Sequence, residues 1–505
     1  MNALDLPCPD DSRGSLCFAP LWRAVQWLQS GQTSAAELVD ACEHAYLAAN
    51  ATVNAMVVAD FEGAHRAAAE SDQRRRANAA LGALDGIPFS IKESFDVQGW
   101  PTTCGSPAHA THCASQDALV VERLRAQGAV LLGKTNVPLG LRDWQTYNAL
   151  YGTTRNPRDP SRTPGGSSGG SAAAVCAGMS FFDIGSDIGS SLRNPAHYCG
   201  VFSHKSSLGI VPLTGHGTAA PGFATQDINV AGPVARSAHD LECVLQTIAG
   251  PEADEALAYH LTLPRCAHTA LSTFRVAVLP SHPFAEVDAE VSETIEALGR
   301  WLESQNAKVS WQARPDIDAI ELWHIYILLL RATTSIYTDD AAFAALLDRA
   351  EPNSTDHSYA ALQFVGAGMH HRRWLHLQAA RRRFAQAWQR FFCDYDVLLC
   401  PAAATTAFPL NEAGEPWQRV LSVNGNPQPM TTQLFWAGYS GLCGLPSTIA
   451  PIGPGHSGLP VGVQIVAPRF GDLTSLRFAQ LLESHGHAFE PPLAVTPAAQ
   501  GVHGQ

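Results

Sequence analysis

Charge is what this sequence has least of. Of its 505 residues only 16% are charged, against 46% apolar, where an average globular chain carries about 25% charged residues. That excludes intrinsic disorder, which needs low hydrophobicity and much charge. Gly and Pro number 41 and 33, short of the roughly 25–30% combined share that marks low-complexity sequence. No apolar run approaches the roughly 18 residues of a membrane span; the best candidate, Ile325–Leu330, is far too short. The opening MNALDLPCPDDSRG has acids and neither a basic nor an apolar region, so it does not read as a signal peptide. The twelve cysteines include no C-x-x-C pair, and free thiols in a reducing cytoplasm suit them better than disulfides.

What is there is enough chain to bury a large core. The balance of 33 basic against 46 acidic side chains, a net −13, disfavours nucleic acid as a partner, because such affinity comes mainly from neutralising phosphates. The two basic runs, Arg74–Arg76 and Arg381–Arg383, lie in helical-looking stretches and read as solvated faces.

Along the chain, Ser34-Ala-Ala-Glu37 reads as a capping box opening a helix through Ala45. In Ile87–Glu93, apolar Ile87, Phe89 and Ile91 alternate with Pro88, Ser90 and Lys92, a strand with one apolar face and Lys92 on the other. Asp117–Gln127 is a helical pattern stopped by Gly128, then a strand over Ala129–Leu132. Helix, Gly, buried strand is the rhythm of an α/β fold. The Gly-, Pro- and Ser-rich stretch Tyr151–Ser171 is a loop, Ala172–Ala177 a helix and Met179–Ile184 a buried strand. Further strands are expected at Arg275–Leu279, Tyr395–Cys400, Pro446–Pro451 and Val461–Ala467, with a helix at Leu473–Glu483. Asp316–Phe392 is helical and strand-poor, a lobe able to cover a site. No linker separates independent domains.

Two motif matches mislead. Gly128-Ala-Val-Leu-Leu-Gly133-Lys134-Thr135 fits the P-loop expression, but that chemistry needs a flexible loop wrapping phosphates after the strand. Here the intervening residues are the strand itself, and Pro138 stands where the helix should be under way. Gly165-Gly-Ser167-Ser-Gly169 fits the nucleophile elbow, which needs a strand running into the turn. Three prolines between Arg155 and Pro164 break any such strand. His370, His371 and His376 have no acidic or Cys partner at ligand spacing, so no metal is expected.

The informative run is Gly165-Gly-Ser-Ser-Gly-Gly-Ser171, then Gly185-Ser-Asp-Ile-Gly-Ser-Ser-Leu-Arg-Asn-Pro195. Glycines let successive N–H groups converge on a ligand, and Asp187–Ser191 comes after a buried strand, where α/β folds place their sites. A serine there suits a nucleophile with an N–H oxyanion hole. By composition alone, a structural Ser/Gly turn fits equally well.

With these motifs the sequence resembles the amidase signature family of serine hydrolases, whose pattern is GGSSGGS, then GTDxGGSxRxP, with a Lys on an upstream strand. Ile87-Pro-Phe-Ser-Ile-Lys92 resembles the Lys segment. Gly232–Arg236, Tyr395–Leu399 with Pro401, and Gly458–Gln464 with Pro468-Arg469 match further, so the resemblance spans about residues 20–485. It implies one α/β domain over 1–505, a mixed twisted sheet covered by helices on both faces, with the helical lobe over about 316–392 near the site. It implies Ser191 as nucleophile, Ser167, in a cis peptide with Gly166, as proton bridge, and Lys92 as base. It also implies N–H groups of Ile188, Gly189, Ser190 and Ser191 as the oxyanion hole, braced by Ser168, Asp187 and Arg193. No metal or organic cofactor is implied.

Two departures stand out: Ser186 replaces the family's Thr, and Ser190 replaces a Gly. The residues Leu192-Arg193 and Pro195 set the register that makes Ser191, not Ser190, the nucleophile. If the position of Ser190 needs positive φ, its side chain is strained. For Lys92 to act as a base near neutral pH its pKa must fall by roughly three units, about 4 kcal/mol, which burial supplies by disfavouring the charged form. The expected activity is cytoplasmic amide hydrolysis, extending to carbamates (urethanase) or esters and including aryl acylamides. The expected partner is a small amide or carbamate, with no nucleic acid or membrane, on a monomer or homodimer. Alternatives are a glutamine-hydrolysing amidotransferase-type subunit that works only in a complex and, more remotely, a P-loop protein using Lys134. An apolar acyl or aryl group would meet Gln433–Tyr439 and Trp323, Tyr326 and Phe364, although core packing is the commoner fate of such residues.

Overall fold

The computed structural model describes residues 16–217, 226–351 and 355–492; the opening stretch, expected to be no signal peptide, lies outside them. Eleven strands form one mixed sheet: β1 (Met56–Ala59), β2 (Pro88–Lys92), β3 (Val130–Thr135), β4 (Phe182–Asp187), β5 (Phe202–Lys205), β6 (Val230–Ala235), β7 (Arg275–Val278), β8 (Lys308–Ser310), β9 (Val397–Pro401), β10 (Ser447–Pro454) and β11 (Pro460–Val466). Their spatial order is β1-β3-β2-β4-β6-β5-β10-β11-β9-β7-β8. Strands from both ends of the sequence interleave, and helices cover the sheet, giving a single α/β domain.

The centre of the sheet positions the site. β2 pairs parallel with both β3 and β4, with Phe89 opposite Phe182 and Ile91 opposite Ile184. The C-terminal ends of β2 and β4 therefore lie side by side, and the chain leaves both strands at the same edge of the sheet. Both faces of β2 are buried, so the polar residues expected to face outward, Ser90 and Lys92, point into the interior instead.

Local signals hold where they rest on caps. The helix Ala35–Val53 begins at Ser34 with both capping-box bonds formed, and runs past Ala45 to Asn54 in the left-handed conformation. Boundaries move where strand pairing decides them. β4 starts three residues later than the expected Met179, because Met179 still bonds back to the preceding helix, and it runs on to Asp187, which faces Val230 of β6. β3 likewise extends through Gly133, Lys134 and Thr135, held by β1 on one side and β2 on the other. The 316–392 stretch is helical, with helices Ala319–Thr334, Asp340–Asp348, Tyr359–Ala367 and His371–Asp394. The basic runs are only partly solvated: Arg74 and Arg75 clamp Asp85, and Arg381 pairs with Asp227.

Candidate active site

Lys92 ends β2, and its Nζ lies 2.7 Å from Ser167 Oγ and 2.9 Å from Ser186 Oγ. Ser186 comes from β4; Ser167 comes from the loop entering the helix Gly169–Cys176, which packs on β2, β4 and β6. That approach depends on missing side chains, since a Cβ on Gly170 would stand 2.4 Å from Asn136 N. The peptide Gly166–Ser167 is cis. Complete burial pulls the Lys92 amine down to about 7, against partial opposition from the Cys104 thiol and the Asp187 and Asp183 carboxyls. Glu93 is no ion-pair partner of Lys92; its carboxylate accepts the Thr103 N–H and O–H and the Cys104 N–H.

Ser191 sits in the turn between β4 and the helix Arg193–Cys199. It is 5% exposed, Ser167 2% and Lys92 0%, so the three form a gradient with Ser191 nearest to solvent. Among the described residues nothing hydrogen-bonds the Ser191 hydroxyl. What ties it to the Lys92–Ser167 pair is Ser168, whose N–H donates to the Ser191 carbonyl at 3.2 Å and whose Oγ donates to the Ser186 carbonyl at 3.2 Å. Asn194 clasps Gly166 in both directions, accepting its N–H at 3.0 Å and donating to its carbonyl at 2.6 Å.

Asp187 organises the turn. It accepts the N–H groups of Ser190 and Leu192, each at 3.0 Å, and both Nε (2.9 Å) and an Nη (2.8 Å) of Arg193. Burial alone would raise the Asp187 carboxyl, but the Arg193 guanidinium holds it below the usual carboxylate range. Arg193 continues to the Ala437 carbonyl, Ser440 and Gln464. One expectation is corrected here: the Ser190 N–H is spent on Asp187 and leaves the set of free oxyanion donors. The N–H groups of Ile188, Gly189 and Ser191 have no partner among the described residues. Ser190 does take positive φ, 76°, with its hydroxyl 3.4 Å from the Ala402 carbonyl.

The structure adds His216, which no sequence signal singled out in its setting between Gly215 and Gly217. Its Nε2 lies 2.9 Å from Ser186 Oγ and 3.1 Å from Ser94 Oγ. Burial, with Lys92 nearby, brings its pKa down to about 3, so the ring is neutral. Lys134 is elsewhere: it lies within β3 and donates to the Pro101 carbonyl and, at 3.0 Å, to Thr102 Oγ1. Gly133-Lys134-Thr135 is strand, with no phosphate loop. His370, His371 and His376 are exposed. Of the aromatics expected at a pocket, Trp323, Phe364, Phe435 and Trp436 pack in the interior, while Tyr326 also reaches the turn after β4. The one close acid–imidazole group of three among the described residues is Asp40, Glu43 and His65. His65 turns a different ring nitrogen to each carboxylate, Nδ1 to Asp40 at 3.7 Å and Nε2 to Glu43 at 2.7 Å.

The family model for amidases matches residues 37–476, a span containing every residue of this site. The chain belongs to the amidase signature family. It is an amidase-type hydrolase acting on amides. It is 31% identical over 472 residues to an indoleacetamide hydrolase of Bradyrhizobium diazoefficiens, covering 92% of this chain and 86% of that one. It is 33% identical over 439 residues to a glutamyl-tRNA(Gln) amidotransferase subunit of Treponema pallidum, covering 80% and 82%. A solved structure of 6-aminohexanoate cyclic dimer hydrolase with its substrate superposes with a TM-score of 0.74 at 25% identity, covering 93% and 97%. Among this amidase's described residues no helix is long and apolar enough to cross a membrane.

Proposed function

We propose that this amidase hydrolyses a small neutral amide through an acyl-enzyme on Ser191. The observation that carries the reading is a fully buried lysine, held near neutrality, bonded to Ser167. A serine hydroxyl needs a proton acceptor to attack, and only a neutral amine can serve. Ser191 Oγ bonds to the carbonyl carbon while its proton passes to Ser167 and the Ser167 proton to Lys92. The carbonyl electron pair becomes an oxyanion, held by N–H groups of the turn; removing one such donor typically costs about 100- to 1,000-fold in rate. The C–N bond then breaks, and the leaving nitrogen takes its proton from Ser167, which recovers one from Lys92. Water attacks the ester by the same route and releases the carboxylic acid and free Ser191. Asp187 and Arg193 brace the turn, and Ser168 joins the two serine loops.

The likeness to an indoleacetamide hydrolase over nearly the whole chain supports an aryl-substituted acyl group, with carbamates and esters as secondary substrates. The comparable likeness to an amidotransferase subunit supports a second reading, glutamine hydrolysis inside a complex. The test is the purified chain with arylacetamides, anilides, carbamates and glutamine. Arylacetamide turnover, lost together with fluorophosphonate labelling in Ser191→Ala, is the expected result. Labelling that survives in Ser191→Ala but vanishes in Ser190→Ala refutes the register. Glutamine hydrolysis gained only with added partner subunits, and no arylacetamide turnover, supports the second reading.

A further inference from the structure

Three successive carbonyls in the turn after β4 are each held by a side chain. Tyr326 donates its hydroxyl to Ile188 C=O at 2.8 Å. Trp144 Nε1 donates to Gly189 C=O at 2.8 Å. Asn194 Nδ2 donates to Ser190 C=O at 2.8 Å. These residues come from the helix Ala319–Thr334, the loop after β3 and the helix after the turn.

A trans peptide is planar, and its carbonyl and N–H point in opposite directions. Fixing each carbonyl therefore fixes the N–H of the next residue. Tyr326 sets the plane that carries the Gly189 N–H, turning it away from the lobe helix. Trp144 sets the plane that carries the Ser190 N–H, which lands on Asp187. Asn194 sets the plane of the Ser191 N–H. Two of these three N–H groups, those of Gly189 and Ser191, have no partner among the described residues and, with the equally unpartnered Ile188 N–H, are available to a developing oxyanion.

Buried Tyr and Trp usually find some hydrogen-bond partner, so one such bond would mean little. Two aromatic donors from distant parts of the chain, landing on adjacent carbonyls of one short turn, is a different matter. The Ser190 carbonyl also accepts the Asn194 backbone N–H at 2.8 Å, but the Ile188 and Gly189 carbonyls have no backbone donor among the described residues, and glycine at 189 leaves its peptide free to rotate. Leu434 and the Tyr326 hydroxyl pack beside this glycine, 3.4 and 3.9 Å from where its Cβ would be, which is ordinary van der Waals contact.

We infer that Tyr326 and Trp144 are positioning residues for the oxyanion loop, and that the helical lobe acts on the chemistry through Tyr326. This rests on the reading of Ser191 as nucleophile. Tyr326→Phe deletes one hydroxyl and keeps the ring. It should lower kcat about 10- to 100-fold, a share of what a whole donor is worth, with KM changed less than about threefold. Fluorophosphonate labelling should slow by a similar factor, and an aryl trifluoromethyl ketone should lose affinity where the product carboxylate does not. The acid limb of the pH profile should stay in place, since Lys92 is untouched. Trp144→Phe is the independent second variant, with the same pattern expected and a smaller loss. If both folded variants keep kcat and ketone affinity within threefold, or lose ketone and carboxylate affinity alike, the inference is overturned. If Ser191→Ala keeps its labelling, the nucleophile reading has failed instead.

Discussion

Lys92 and Lys134 stand on neighbouring strands, with Ile91 facing Lys134 and Lys92 facing Thr135, and both are fully buried. Burial lowers both amines, to about 7 and about 8. Their partners differ. Lys92 meets two serine hydroxyls, groups that can give as well as take a proton. Lys134 meets a carbonyl, which only accepts, and a threonine hydroxyl, with Glu93 close enough to favour its charged form. Near-identical burial thus leaves one amine between two hydroxyls and the other against a carbonyl, and in the proposed mechanism only the first accepts a proton. The sequence holds four lysines, and Lys308 alone is exposed; the amine has been kept chiefly where water is absent.

The largest test of that contrast is a pair of substitutions. Lys92→Met should lower kcat by about 10³-fold, within the range for losing a general base, while Lys134→Met should lower it less than about tenfold. Their stabilities should move in opposite directions. Lys92→Met removes a desolvated amine from a site whose hydroxyls can turn to other partners, for a gain of about 1–3 kcal/mol. Lys134→Met strands the Pro101 carbonyl and leaves buried Glu93 without its cation, for a loss of about 1–3 kcal/mol. The Lys92→Met gain has a pH window. The wild-type amine is neutral in the fold above about 7 but protonated in the unfolded chain up to about 10. The cost of burying it is therefore complete below pH 7 and fades as pH rises toward 10. Thermal melts of both variants at pH 6, 8 and 10 read this directly. Equal activity loss, or stability shifts of one sign, would break the contrast.

A smaller effect concerns pH and rate. In the proposed mechanism Lys92 works only as a free amine, so kcat/KM should fall as pH drops through about 7 and level off above it. Lys134→Met should leave that limb in place. A limb that moves with Lys134 would assign the titration to the wrong lysine.

How much of this was legible in the chain depends on the range of each interaction. The capping box at Ser34, Gly128 ending a helix, and the apolar runs of β7, β9 and β11 are local signals, and the elements lie where those signals put them. β5, Phe-Ser-His-Lys, carries no strand signal, because its polar side chains are answered by distant partners: His204 by Thr448 and Asp472, Lys205 by the Leu445 carbonyl. The site divides the same way. Lys92, Ser167 and Ser191 stood out through the resemblance to the amidase signature motifs, and the structure brings the segments that carry them together. His216, Trp144 and the reach of Tyr326 to Ile188 did not stand out, since a lone His or aromatic carries no mark of which carbonyl or hydroxyl it will meet. The commitment of the Ser190 N–H to Asp187 was equally invisible, being a matter of which way one peptide plane faces.

Ser190 provides the gentlest test, and it bears on that plane. Its φ of 76° costs a residue with a Cβ about 1–2 kcal/mol, and glycine would remove the cost. Glycine also enlarges the unfolded ensemble, by roughly 0.5–1 kcal/mol, and gives up the long contact to the Ala402 carbonyl. Ser190→Gly should therefore stabilise by less than about 1 kcal/mol. The N–H stays on Asp187 and the carbonyl stays on Asn194, so kcat should change less than about threefold. Ser190→Ala keeps the strained backbone without the hydroxyl, and should match wild type in rate while gaining no stability. A tenfold loss in kcat/KM shared by both variants would mean that the hydroxyl itself touches the substrate, and the serine would then be retained for its oxygen despite its φ. A loss confined to Ser190→Gly would mean instead that the Cβ restrains the turn, so that stiffness at 190 joins the Tyr326 and Trp144 hydrogen bonds in setting the direction of the neighbouring N–H groups.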